Sequence, residues 1–248
     1  MERRLEAVQE TMMIPLAIKA KETLRSNARI KDDKAVEIIR RLKVNADKYD
    51  KFMSHEGVVA RTIMFDGALT DYLKKNPDAV CVNLGSGLDA RFYRVDNGRI
   101  LWCDIDLPEA MEVRKQFFKE EERVKQIAGS ILEPQWTGVI PKGRPIVFLI
   151  EGVLMYFTEE QVKQLLFILS SAFDEFTLLA ELNPTIMINQ EKLHDTVKHT
   201  GAVFRWGLDH GKDLETMCPG LVMIQENSFN DVMKNGHSGA GCLELCQS

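Results

Sequence analysis

Between residues 79 and 106 the chain spells out strand, glycine turn, helix, strand and acid. Ala79-Val-Cys-Val-Asn-Leu84 is a short apolar run that ends in Gly85-Ser-Gly-Leu-Asp-Ala90. Arg99-Ile-Leu-Trp-Cys103 is a second run, closed by Asp104-Ile-Asp106, with the two acids 19 and 21 residues after Gly85. A strand that is apolar on both faces belongs in a parallel sheet covered by helices. Glycine lets the chain leave such a strand in a sharp turn and lets backbone approach a ligand closely. The N–H groups that open the next helix suit an anionic ligand group. An acid at the end of the second strand can accept hydrogen bonds from both ribose hydroxyls. The segment therefore carries a signature for a nucleoside cofactor.

The rest of the chain continues the alternation. Residues 1 to about 76 read as a helical leader, with apolar residues three and four apart in Asp33 to Lys43 and again from Ser54 to Lys75, where Ser54 fits an N-cap. Asn76-Pro77-Asp78 breaks that pattern. Pro108 opens a helix through Phe118, and Thr158-Glu-Glu-Gln161 has the form of a capping box for a helix to about Ala172. Further strands fall at Val124 to Ala128, Pro145 to Ile150 and Phe176 to Ala180, with weaker ones near Leu221 to Gln225 and Cys242 to Leu245. The fold class is α/β, a doubly wound, mostly parallel seven-stranded sheet of Rossmann-like type. The expected division is a leader over 1–76 and a core over 77–248, whose tail from Asn183 holds a helix and a loop around Gly201 to Asp213.

Composition removes other classes. Among 248 residues, 45% are hydrophobic and 28% charged, with a net charge of −5, which argues against a nucleic-acid or membrane-surface binder. No apolar run exceeds five residues, the length of Ile146 to Ile150, whereas a spanning helix needs ~20. The mixed-charge start carries no signal peptide, so a cytoplasmic protein is expected. The five cysteines read as reduced thiols, and His237, Cys242 and Cys246 fit no zinc spacing.

Gly85-x-Gly87-x-x-Ala90 does not separate a nicotinamide dinucleotide from S-adenosylmethionine. No tyrosine has lysine four residues later, as a short-chain dehydrogenase would require, and the first strand starts late, after the leader. Gly138-x-x-x-x-Gly143 is followed by Arg-Pro, which excludes a phosphate loop.

Val82-Asn-Leu-Gly-Ser-Gly-Leu-Asp-Ala-Arg-Phe-Tyr-Arg94 resembles the glycine motif of the leucine carboxyl methyltransferase family, one of the class I S-adenosylmethionine-dependent methyltransferases. Asp104-Ile-Asp-Leu-Pro108, Glu151-Gly-Val-Leu-Met-Tyr-Phe157, Ala60-Arg-Thr-Ile-Met-Phe-Asp66 and Phe204-Arg-Trp-Gly-Leu-Asp209 extend the resemblance over roughly residues 10 to 230. It implies S-adenosylmethionine as cofactor, with S-adenosylhomocysteine as product. It further implies that Arg61 pairs with the cofactor carboxylate, where a guanidinium offers a bidentate fork. Gly85 and Gly87 then line the methionine moiety, and Asp106, with Asp104 a neighbour of similar standing, holds the ribose. Ser130 stands where the family has aspartate facing the adenine, beside the backbone of Ile131. Glu151 lies near the cofactor amino group or sulfonium, and Lys19 is within reach of the cofactor carboxylate. Tyr156 is either a wall of the acceptor pocket and the candidate catalytic residue, or a packed aromatic. The resemblance also implies a small cap insertion at about 183–217, where His194, His199 and His210 fall and read as solvated.

The resulting expectation is methyl transfer to a carboxylate or hydroxyl of a small molecule, a polyketide-like metabolite among the possibilities, by a monomer or homodimer. A carboxylate needs no base at neutral pH, whereas a phenol with pKa ~10 would profit from one. The rival readings are a nicotinamide-dependent oxidoreductase and a non-catalytic module that binds the cofactor.

Overall fold

The structure is a computed structural model and describes residues 11–190, 197, 201–233 and 241–247. The leader holds α1 (Met13–Thr23) and α2 (Asp33–Leu42), followed by α3 (Phe52–Lys75). Asp32 caps α2 by accepting from Ala35 N at 2.8 Å. α3 starts two residues before Ser54, with Lys51 at the N-cap position, so Ser54 sits inside the first turn and is not the cap.

The sheet then forms in the order β3-β2-β1-β4-β5-β7-β6. Its strands are β1 (Val80–Leu84), β2 (Leu101–Asp106), β3 (Val124–Ala128), β4 (Ile146–Ile150), β5 (Phe176–Leu182), β6 (Leu221–Ser228) and β7 (Gly241–Gln247). β1 to β5 pair in parallel, and β7 runs antiparallel between β5 and β6. Both weak strands at the end of the sequence are present and longer than their apolar centres. β1, β4 and β5 are buried along their whole length, as their continuous apolar runs require.

Successive side chains of each strand feed opposite faces. Val82, Leu84, Phe148 and Leu178 pack with Leu165 and Leu169 of α6 (Glu159–Ala172) on one face. Cys81, Val147, Leu149 and Leu179 pack with Phe65, Leu69 and Leu73 of α3 on the other. The sequence pattern changes near residue 76, yet α3 shares a core with β1, β4 and β5. α6 begins with the expected capping box: Gln161 N donates to Thr158 Oγ1 at 3.3 Å, and Thr158 N donates to Gln161 Oε1 at 2.9 Å.

Two of the expected helices are short, and the second stops before its expected end at Phe118. After the glycine turn only α4 (Phe92–Val95) forms, and α5 stops at Arg114 (Pro108–Arg114) with turns continuing to Phe118. The glycine turn therefore does not open a long helix whose N-terminus could hold an anion. α1, α2 and the start of α3 pack Leu16, Ile18, Ile38 and Val59 together with Leu88, Met155 and Phe204, above the C-terminal ends of the strands. The helix expected in the cap insertion falls largely outside the described residues, as do His194, His199 and His237.

Candidate active site

The chain order reverses across β1, which pairs with β2 on one side and β4 on the other. Ligands of open α/β sheets bind beyond the carboxyl ends of the strands at such a point. A cavity of about 630 Å³ lies there, roofed by α1 and by Met187, Val197 and Phe204 of the cap. Arg61, Gly85, Gly87, Asp106, Ser130, Ile131, Glu151, Tyr156 and Lys19 all line it. Asp104 does not, and exposed His210 lies away from it.

The turn after β1 is pinned to β2. Gly85 N and Ser86 N donate to Ile105 O at 2.9 and 3.0 Å. Gly85 has φ +73° and Gly87 φ +47°, in the left-handed region that favours glycine. A Cβ on Gly85 would lie 2.4 Å from Val153 Cγ2, so the turn also needs the missing side chain.

The two acids of β2 separate here. Asp104 is 1% exposed and takes Arg114 Nη2 at 2.6 Å, Trp102 Nε1 at 2.9 Å and Asn83 Nδ2 at 3.3 Å. It is consumed by an internal ion pair, which removes it from the cofactor residues. Asp106 accepts from Gly87 N at 2.6 Å through Oδ2 and from Leu107 N at 2.7 Å through Oδ1. An ionised carboxylate has about four lone-pair sites, so two remain for ribose hydroxyls. Neither acid caps α5, whose N-cap position is Leu107. Burial pushes the Asp106 carboxyl up despite its backbone donors.

Arg61 reaches the cavity from α3. Its Nη1 donates to both oxygens of Glu181 at 3.1 and 2.9 Å, and its Nε sits 2.8 Å from Glu151 Oε1, off hydrogen-bond geometry. Burial works against the Arg61 charge, and Glu181 and Glu151 outweigh it, raising the pKa. Arg91, fully buried, binds Asp66 at 2.6 Å, Asp89 at 2.7 Å and Glu151 by a short contact. Burial pushes the Glu151 carboxyl up, but Arg91 and Arg61 hold it at about 2. Lys19 Nζ donates to Asp89 Oδ1 at 2.9 Å. The same balance, burial overcome by Arg91, Lys19 and Arg94, holds Asp89 well below the carboxylate range.

Two members of this arrangement escaped the sequence reading. Glu181 ends β5 as Glu151 follows β4, and the same sign, a carboxylate closing a buried apolar run, marks it. Arg91 lay within the glycine motif without a role. Tyr156 stacks obliquely on Phe204, with centroids 5.8 Å apart, and burial pushes its hydroxyl up to about 12 although Thr11 hydrogen-bonds it. It is a donor at neutral pH and not a base.

These residues fit a zwitterionic nucleoside. Asp106 offers vacant lone pairs, and Ser86 Oγ is buried on the cavity wall with no partner among the described residues. Ser130 Oγ already accepts from Leu132 N at 3.2 Å and retains its hydroxyl proton to donate. No cluster of metal-binding side chains occurs among the described residues, and no helix there is long and apolar enough to cross a membrane. The cysteines described are free thiols.

Residues 12–169 match the family profile described as leucine carboxyl methyltransferase. The tetracenomycin polyketide synthesis O-methyltransferase of Streptomyces glaucescens is 26% identical over 92% of this chain and 85% of its own. An S-adenosyl-L-methionine-dependent methyltransferase of Gibberella zeae is 26% identical over 95% and 87%. Among solved structures, a Streptomyces avermitilis protein of the DUF574 family matches with TM-score 0.64 at 10% identity, over 96% of this chain and 97% of that one. The magnesium protoporphyrin IX methyltransferase of Synechocystis, with bound S-adenosylhomocysteine, matches with TM-score 0.54 at 13% identity, over 86% and 94%.

Proposed function

The chain belongs to the leucine carboxyl methyltransferase family and is an S-adenosylmethionine-dependent methyltransferase, and on that premise we propose that it methylates an oxygen of a small molecule, a carboxylate before a hydroxyl. The observation that carries the choice is the state of the cavity's titratable groups. Glu151, Glu181, Asp89, Arg61 and Lys19 are held in ion pairs, Asp106 accepts from two backbone N–H groups, and Tyr156 keeps its proton to about pH 12. Neither histidine nor cysteine lines the cavity among the described residues. A carboxylate arrives ionised and needs no base, whereas an alcohol or phenol must lose a proton, and the carboxylates of this wall already accept from guanidinium, ammonium or backbone donors.

When bound, S-adenosylmethionine supplies a methyl group on a positively charged sulfur. Arg61 and Lys19 would hold its carboxylate, Asp106 its ribose, and Ser130 with the Ile131 backbone its adenine; all of these residues line the same cavity. The serine has no carboxylate charge, so its hold on the adenine amino group is weaker than an aspartate's. α1 and the cap residues Met187, Val197 and Phe204 line the cavity with apolar side chains. Orientation is then the main contribution of the protein, worth up to about 7–11 kcal/mol in good near-attack geometry. Tyr156 donates a hydrogen bond that orients the acceptor, from the wall formed with Met155, Met187 and Phe204. That wall is apolar and suits an acceptor with an aromatic or alkyl body, as a polyketide-like acid has.

The test is transfer of labelled methyl into a panel of aromatic acids, their alcohols and their phenols. Carboxyl methylation with a rate flat above about pH 6 supports the proposal. A rate confined to phenols and rising tenfold per pH unit to the phenol pKa would overturn it. The nicotinamide reading predicts binding of NAD(P)H in the same cavity, which calorimetry checks.

A further inference from the structure

The charges below the cavity do not balance. Lys19, Arg61, Arg91 and Arg94 form one contiguous set of ion pairs with Asp32, Asp66, Asp89, Glu151 and Glu181. Four cations thus face five carboxylates. The surplus lies towards the cavity end of the set. Arg91 is shared by Asp66, Asp89 and Glu151, and Arg94 by Asp32, Asp66 and Asp89. Glu181 has Arg61 as its sole ion-pair partner among the described residues, and Arg61 is divided between Glu181 and Glu151.

Glu181 is 5% exposed, on the cavity wall, with Gly152 N donating to its Oε2 at 2.6 Å. The charged and titratable groups facing it are Arg61 from α3, Glu151 after β4, the Tyr156 hydroxyl, and Cys242 of β7, its partner in register. Arg91 lies one step further, on Glu151. Burial pushes the Glu181 carboxyl up, Arg61 pulls it back, and neighbouring Glu151 pushes it up again, leaving it above the ordinary range. A buried carboxylate with half a partner is costly to keep ionised.

We propose that Glu181 makes the site distinguish by charge between the methyl donor it consumes and the product it must release. The inference rests on the methyl-donor assignment. S-adenosylmethionine carries a sulfonium, an ammonium and a carboxylate, a net charge of +1. In the transfer an acceptor oxygen lone pair forms the O–C bond, and the C–S bond breaks with its electron pair left on sulfur. S-adenosylhomocysteine is therefore neutral overall. The donor supplies the cation that the network lacks, and the product withdraws it. Once the methyl has moved, Glu181 is again an under-compensated buried carboxylate, which works against retention of the product.

Calorimetry on the full chain tests this with S-adenosylmethionine, S-adenosylhomocysteine and an analogue bearing a protonated amine in place of the sulfonium. The wild type should prefer both cations to the neutral product. Glu181→Gln keeps the side-chain length and removes the charge, and should narrow that preference by about tenfold, the equivalent of one pKa unit. Glu181→Asp keeps the charge and should keep the preference. A second readout needs no variant. On the acid side of neutrality, in buffers of different ionisation heat, the two cations should release more protons on binding than the neutral product does. Equal proton release by all three ligands overturns the proposal, as does an E181Q protein that loses affinity for all three in equal measure. Failure of S-adenosylmethionine and its product to bind the wild type would instead overturn the cofactor assignment, and this inference with it.

Discussion

Gly85→Ala puts a number on the turn that opens the cavity. At φ +73° an alanine is left-handed, which costs about 1–2 kcal/mol. Its Cβ would also lie 2.4 Å from Val153 Cγ2, with Val153 Cβ and Cγ1 at 3.6 Å. Val153 is β-branched and stiff at χ1, so it cannot swing aside freely. Overpacking of this kind costs about 1–3 kcal/mol. The two terms together predict a loss of about 2–5 kcal/mol, or roughly 4–20 °C in Tm for a chain of this size.

The two terms separate in a cycle with Val153→Ala, which removes the clashing methyl groups. Urea unfolding of the four cofactor-free proteins should give a coupling of about 1–3 kcal/mol, since the overlap term vanishes in the double variant while the left-handed term persists. Gly85 and Val153 both line the cavity, so S-adenosylmethionine affinity should fall in the single Gly85 variant and recover in part in the double. Additivity within about 0.5 kcal/mol would refute the packing argument. A neutral Gly85→Ala would refute the left-handed turn itself.

Arg61→Ala should weaken cofactor binding by more than tenfold and destabilise the apoprotein by about 3–5 kcal/mol, because Glu151 and Glu181 lose a buried partner. Arg61→Lys should restore most of the stability but not the affinity, as read by calorimetry and thermal melts. Asp104→Asn and Asp106→Asn should split: the first lowers stability by breaking the Arg114 pair with less than threefold change in cofactor Kd, and the second raises Kd by about tenfold with little loss of stability. The opposite split would reverse the assignment of the two acids. Tyr156→Phe should raise the KM for the acceptor by about tenfold and leave the cofactor Kd unchanged. Glu151 has its folded pKa, at about 2, below its unfolded value of 4.5. Its contribution to stability is therefore full above pH 4.5 and is lost as pH falls towards 2, so Glu151→Gln should flatten acid unfolding in that window.

The sheet was legible because its strands are buried on both faces and so appear as unbroken apolar runs. The positions around the cavity were legible where a residue type is anomalous for its place, as with glycine after a strand or Glu151 beyond one. Asp104 and Asp106 could not be told apart by pattern, because residues two apart on a strand share a face. What separates them is depth: Asp104 lies level with Asn83 inside β1, and Asp106 lies beyond the level of Leu84, where the cavity begins. That the helix after the turn is only one turn long was not legible, because what replaces it is built from contacts distant in sequence. Arg91 meets Asp66 and Glu151, 25 and 60 residues away, and no local spacing encodes that.

Those distant contacts explain why the leader belongs to the site. Lys19 comes from α1, Asp32 from the cap of α2, Asp66 from α3, Asp89 and Arg91 from the turn after β1, and Glu151 and Glu181 from beyond β4 and at the end of β5. Hydrophobic packing alone would hold these elements together with no preference for where their polar ends lie. Buried charges impose that preference, since any displacement of α1 or α3 leaves a carboxylate or guanidinium unpaired at a cost of several kcal/mol. A core of apolar side chains of the same volume would often be as stable or more so. The network therefore stabilises one arrangement of the helices over the strand ends, and that arrangement is the one that closes the cavity. Its incompleteness at Glu181 belongs to the same logic: the place where the ion pairs fail to balance is where a cation is due to bind.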